Sequence, residues 1–222
     1  MLDFETWIIF ISASLALAFT PGPGMLYVLS RTISGGKAVG VASTFGAASG
    51  GLIHVFGASI GISAILATSA IAFTIIKYLG AVFLIYLGLK MIFSAFKKVD
   101  MKCPISKGES EEEIKSAFNQ GIISEVLNPK TAIFFLAFIP QFIRPADGYI
   151  FAQFIALGMI VVVLNAIPDF LIAFFSEPIE KLWISSSKFR KGQKVISGIC
   201  LIGLGAYLAM SGSNKEIHAT ST

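Results

Sequence analysis

The sequence predicts an all-α integral membrane protein: six transmembrane helices forming two inverted three-helix repeats, with helices 1 and 4 broken. Three observations lead there. Hydrophobic residues fill 55% of the 222 positions and charged residues only 14%, far from the balance of a water-soluble domain. Apolar runs long enough to cross a bilayer recur from end to end, so residues 1–222 read as a single domain with no room for a soluble one. Two of those runs are interrupted by proline-centred motifs at corresponding places in the two halves of the chain.

Span 1, about 7–30, contains "AFTPGPGMLYVL" at 18–29. Pro21 and Pro23 have no amide hydrogen to donate, so carbonyls about four residues back lose their partners. At membrane depth such carbonyls must face protein or line a cavity. A single proline would read as a packing kink, whereas Pro21, Gly22 and Pro23 together read as a true break. Span 2, about 38–68, carries Gly46, Gly50, Gly57 and Gly61 along one helical stripe, which suits close helix packing. His54 falls in that stripe and therefore faces protein. A hydrogen-bonded packing histidine is the favoured reading, with proton carrying as the alternative. Span 3, about 71–96, follows after only "ATSA", and its Lys77 and Lys90 read as snorkelling side chains.

The run 97–116 is polar and reads as a loop, its "ESEEE" a solvated face. Span 4, about 117–142, contains the matching break at Asn128, Pro129 and Lys130. A lysine inside a span needs a partner, a cavity or a route to the interface. Glu125 precedes Asn128 by three residues and shares its helical face. The competing reading makes "SEVLNPK" an interfacial cap of a span that starts later, but "FNQGIISEVL" is already mostly apolar. Span 5, about 148–175, holds "LNAIPDF", in which Asn165 and Asp169 share a face and Pro168 loosens the ladder between them. An aspartate inside a span is a functional candidate by default, although pairing with Lys130 for stability alone is the bland alternative. The stretch 176–194 is a second polar connection, and Trp183 among basic residues suggests a short helix on the membrane surface. Span 6 covers about 195–211, and a short polar tail follows.

The halves also share a terminal pattern. "LIYLGLKMI" (84–92) and "LIGLGAYLA" (201–209) both carry LI-x-LG, with Gly80 and Gly198 upstream. Repeat one is about 1–96, the cytoplasmic loop about 97–116 and repeat two about 117–211. Twelve Lys and Arg residues fall in the connections after spans 1, 3 and 5, against two, Arg144 and Lys215, on the other side. This positive-inside bias puts those connections in the cytoplasm and both termini outside. The net charge of +4 is thus a membrane signature, and nothing resembles a nucleic-acid site. "MLDFETW" lacks the basic region of a signal peptide. Cys103 and Cys200 are lone thiols, and no metal-ligand spacing, nucleotide-binding fingerprint or protease motif appears. The sequence therefore predicts no enzyme activity, no metal and no cofactor.

These residues resemble the lysine exporter and homoserine/threonine exporter family (LysE/RhtB). The resemblance covers nearly the whole chain. It rests on "TPGPGMLYVLSRTISGGKAVGVASTFGAASGGLIHVFGASIGISAIL" (20–66), "YLGAVFLIYLGLKMIFSAF" (78–96), "SAFNQGIISEVLNPKTAIFFLAFIPQFI" (116–143) and "ISGICLIGLGAYLA" (196–209). It implies a bacterial inner-membrane exporter that uses the proton gradient to expel amino acids, with Pro21, Gly22, Pro23, Asn128, Pro129 and Lys130 as motif positions. Asp169 falls where such proteins often have a polar or acidic residue. The segment around Phe189 lacks a tryptophan that many of them show.

The expected function is secondary export of a neutral or hydroxyl amino acid such as homoserine, threonine or leucine, with lipid and protons as partners. Half-helix N-termini at the breaks would hold the substrate carboxylate and the freed carbonyls its ammonium group, with Asn165 a further substrate-binding candidate. Glu125, Asp169 and, behind them, His54 are the proton-coupling candidates. The rival is export of a metal cation or another small metabolite on the same scaffold, which sparse acids flanked by basic and amide groups make the weaker reading. A homo-oligomer is allowed.

Overall fold

The computed structural model describes residues 3–96, 110–175 and 186–210. The expectations about 97–109 with Cys103, about 176–185 with Trp183, and about the tail after Met210 lie outside the described residues. Every described element is helical: α1 (Phe4–Phe19), α2 (Pro23–Thr68), α3 (Ala70–Ala95), α4 (Glu111–Val126), α5 (Pro129–Ile133), α6 (Ile150–Phe174) and α7 (Ser187–Met210). A π-helical turn (Phe134–Phe138) and a 3-10 turn (Ile139–Phe142) continue α5. Among the described residues, four helices are long and apolar enough to cross a membrane, and a fifth span results if α4 and Pro129–Phe142 count as one path bent by 47°.

Helix α2 is two arms joined at Gly36, whose φ of 80° and ψ of −174° interrupt the helical geometry. That φ lies where only glycine is comfortable. The contacts with α4 give the arms' directions. In the first arm Arg31 donates to Glu113 O (3.4 Å) and Tyr27 Oη to Ala117 O (2.9 Å), while Gly24 lies against Glu125, so this arm runs opposite to α4. In the second arm Gly46 meets Phe118, Gly50 meets Ile122 and His54 meets Glu125, so this arm runs with α4. Gly36 therefore reverses the chain, and α4 lies along both arms.

The boundary between α2 and α3 falls at Ser69, inside "ATSA", where the side chain caps α3 by accepting from Ala72 N (3.1 Å). Two helices start earlier than expected. Helix α4 begins at Glu111, so the acids read as a loop face form its first turn. Ser110 Oγ accepts from Glu113 N (3.2 Å), and carboxylates suit a helix N-terminus. Helix α7 begins at Ser187, so Lys188, Arg190, Lys191 and Lys194 belong to its first turns rather than to a connection. Asp3 caps α1 in the same way as Ser110 caps α4. It accepts from Thr6 N (2.8 Å), and that bond holds its carboxyl below the usual value.

A core of Phe10, Leu17, Ile62, Leu84, Phe134, Phe138, Phe154 and Leu201 joins α1, the second arm of α2, α3, the π-helical turn, α6 and α7. Large apolar residues point the other way on the outer faces, including Phe56 and Ile60 of α2, Leu79 and Val82 of α3 and Val163 of α6. Buried hydroxyls spend their hydrogen bonds inside the helices: Ser14, Thr32, Ser43 and Thr44 each donate to the carbonyl four residues back. Lys77 is 5% exposed and so packs inward, against the snorkelling expectation, whereas Lys90 is exposed.

The glycine stripe of α2 divides in two. A Cβ at Gly46 would collide with the Phe118 carbonyl, and one at Gly50 would lie 2.8 Å from Ile122 O. Gly121 answers from α4, where a Cβ would lie 2.6 Å from Ser43 O. These are true close approaches of backbones. Gly57 and Gly61 have no neighbour within 4 Å of such a Cβ among the described residues, so they do not pack as the stripe predicted. Gly46→Ala should therefore lower the unfolding temperature of the detergent-extracted protein, while Gly57→Ala and Gly61→Ala leave it unchanged or slightly raised. Equal effects at all three positions would refute this division.

Helices α3 and α7 pack through a reciprocal contact. A Cβ on Gly88 would lie 2.5 Å from Gly198 O and 3.1 Å from Ile202 N. A Cβ on Gly205 would lie 2.7 Å from Ala81 O and 3.2 Å from Ile85 N. Exchange Ala81 for Gly198, Ile85 for Ile202 and Gly88 for Gly205, and one contact becomes the other. The pairing follows the shared LI-x-LG pattern.

Candidate functional site

Both proline motifs break the helix where they stand. Helix α1 ends at Phe19, and Thr20 turns to an extended conformation (φ −75°, ψ 115°). Its N–H folds back onto Leu17 O (3.1 Å), and its hydroxyl takes over Ala16 O (2.6 Å). Pro21 has no N–H for Leu17 O, as its chemistry requires. Gly22 is the N-cap of α2, and Pro23 fills its first turn. In the second break Leu127 ends α4, Asn128 is the N-cap of α5 and Pro129 fills the first turn. The Asn128 carboxamide oxygen accepts from Lys130 N (3.1 Å).

Lys130 ties one break to the other. Its ammonium donates to Leu17 O (3.0 Å) and Thr20 O (2.9 Å), and the residue is only 7% exposed. The side chain lies across Gly22, where a Cβ would come within 3.2 Å of Cε. The carbonyls set free at Pro21, expected to receive the substrate's ammonium, thus carry the protein's own. Nor does Lys130 hydrogen-bond to Asp169, the pairing proposed from sequence; backbone carbonyls take that place.

Glu125 is 8% exposed and equally engaged. Its Oε2 accepts from Asn128 Nδ2 (3.0 Å) and rests against Gly24, where a Cβ would fall 2.6 Å away. Gly24 lies in the first turn of α2, whose partial positive charge favours a carboxylate. The Glu125 carbonyl is 2.9 Å from His54 Nε2, and the imidazole stacks on Phe135 at 6.0 Å. His54 thus faces protein and supports the second break from behind.

Between the breaks lies a cavity of about 30 Å³, lined by Glu125, Asn128, Lys130, Thr131, Asn165 and Asp169 among its polar groups. Small residues Ala47, Ala48 and Gly51 of α2 and Val162 of α6 form its apolar wall. That volume holds about two water molecules. Asp169 is 8% exposed and sits one residue after Pro168, with α6 continuous through the proline. Asn128 and Lys130 of the second break line the cavity with both candidate carboxylates and Asn165, whereas the first break contributes only its flanks, Ala18 and Met25. Pro21, Gly22, Pro23 and Pro129 are not in the lining, and His54 touches Glu125 from outside it.

Thr131, Tyr27, Arg31 and the π-helical turn were not singled out in the sequence. The turn arises where Pro140 cannot donate, and Ile139 N–H bonds instead to Phe134 O, five residues back. It places Phe135 on the cavity and Phe134 and Phe138 in the core. Pro140 inside an apolar run was its available signal.

The family model of the LysE type translocator matches residues 15–212. The chain belongs to the LysE type translocator family. Similar proteins extend over nearly its full length. An uncharacterized membrane protein of Bacillus subtilis (strain 168), YrhP, is 35% identical over 91% of this chain and 97% of its own. A homoserine/homoserine lactone efflux protein of Salmonella typhimurium is 29% identical over 94% of this chain and 98% of its own. An uncharacterized membrane protein of Vibrio cholerae is 27% identical over 94% and 98%. No solved structure matches. This LysE translocator is a multi-pass membrane transporter of small molecules, and its broken helices lie inside the matched region.

Proposed function

We propose that this LysE translocator is a secondary exporter of amino acids, driven by the proton gradient across the bacterial inner membrane. The observation that carries the reading is the charged cavity between two broken helices, with an ammonium fixed on one break and two carboxylates facing the same space. Opposite charges held apart in a water-poor cavity suit a zwitterion, and buried carboxylates suit proton exchange. The efflux protein of Salmonella typhimurium supports homoserine or a similar hydroxyl amino acid as the cargo. Reversal at Gly36 and the exchangeable α3–α7 contacts support six spans in two inverted repeats.

The test is a substrate screen. Cells overproducing the protein are loaded with dipeptides, and the amino acids that leave are measured. Homoserine, threonine or leucine should leave faster than from control cells. Equal release of every amino acid would remove the proposal. Orientation has its own test. The positive-inside bias supports a topology with both termini outside the cytoplasm. Cysteines introduced in 100–112 should resist a membrane-impermeant thiol reagent in intact cells and react once the cells are opened. Labelling of intact cells would invert the topology.

A further inference from the structure

We infer that Asp169 holds the ammonium group of the transported amino acid, with Lys130 as the opposite pole for its carboxylate; this deepens the exporter reading and rests on it. Three charged side chains line the cavity, and the structure treats them differently. Glu125 already accepts from Asn128 and rests on the first turn of α2. Lys130 has three N–H donors, and Leu17 O and Thr20 O take two of them. The third remains for an anion. Asp169 is nine-tenths buried and lines the cavity, and no described residue donates a hydrogen bond to its carboxylate.

A carboxylate at membrane depth without donors is costly, and an ammonium supplies both the charge and up to three donors. The freed carbonyls of the first break cannot do this work while Lys130 occupies them. Asn165, one turn before Asp169 on the same face of α6, adds an amide at the same wall. The ligand class follows: a small molecule with a free ammonium beside a short polar group. The cavity must widen to admit it, and the walls that would part, Ala47, Ala48 and Gly51, carry little bulk. Loss of the ammonium should exclude a ligand, because Asp169 would then remain buried and unpaired. Loss of the carboxylate leaves only one N–H of Lys130 unanswered and should be tolerated better.

The experiment uses the whole protein in vesicles and follows exchange of labelled threonine, or of whichever amino acid the screen returns. Competitors are the unlabelled amino acid, its methyl ester and its N-acetyl derivative. The ester should compete within about tenfold of the parent, and the N-acetyl form at least about a hundredfold more weakly, as expected where a buried polar group is left unpaired. Asp169→Asn should lose exchange by a similar factor while its abundance and elution profile stay normal, and Asp169→Glu should recover part of it. Competition by the N-acetyl form equal to the parent overturns the inference, and this arm needs no variant to fold. Exchange by Asp169→Asn at the wild-type rate also overturns it and leaves the exporter reading standing. A wild-type protein that exchanges no amino acid removes the exporter reading itself, and this inference with it.

Discussion

Lys130→Met should leave clearly less protein in the membrane and no measurable amino-acid export. The ammonium is the link between the breaks, donating across 113 residues to Leu17 O and across 110 to Thr20 O. Each hydrogen bond from a charged donor contributes about 1.5–3 kcal/mol, and carbonyls at membrane depth have no water to replace it. Methionine keeps much of the length and none of the donors. A second variant separates the link from the lysine itself. Gly22→Val keeps Lys130 but fills the space where its Cε lies 3.2 Å from a Cβ position. It should reproduce the transport defect. Membrane abundance and dipeptide-driven efflux measured together decide the matter, and normal export by Lys130→Met would show the link to be incidental.

Glu125→Gln should abolish uphill export while leaving exchange of substrate at equal concentrations intact. Glutamine keeps the shape and offers Asn128 Nδ2 the same acceptor, now 3.0 Å from Oε2, so the second break should persist. What disappears is the carboxyl group proposed for proton coupling beside the cavity. If Asp169 is occupied by the substrate's ammonium, Glu125 is the carboxylate left for the proton. Vesicles with an imposed pH gradient should then accumulate no substrate, although labelled substrate still crosses in exchange. Uphill transport at the wild-type rate would shift coupling to Asp169 or His54.

The breaks were legible in the sequence because proline's missing N–H has the same consequence in any context. Helical spacing put Asp169 and Asn165 on one face, and spans 2 and 3 were separated at "ATSA", where the boundary falls, but Asn128 was not foreseen as the cap of α5. The partner of Lys130 was not legible, because it is a pair of backbone carbonyls in a distant segment, and carbonyls have no sequence signature. Spacing put Gly46, Gly50, Gly57 and Gly61 on one stripe, but only the half that crosses α4 is used, and spacing says nothing about where a neighbour ends. Charge misled at two helix starts. Glu111–Glu113 and the basic residues after Ser187 were assigned to connections because they are polar, although acids capped by Ser110 are good helix openers.

Pro23 and Pro129 occupy the same place at the head of their helices, yet the next residue is Gly24 in one half and Lys130 in the other. An inverted pair of identical halves would face the two sides of the membrane with equal ease. Here one half reaches over and fastens the other, and the other has no side chain with which to return the gesture. Two hydrogen bonds from one ammonium skew such an equilibrium by about a hundredfold or more, in favour of the form in which they are made. Under the proposed exporter reading, an idle carrier should therefore rest turned to one side.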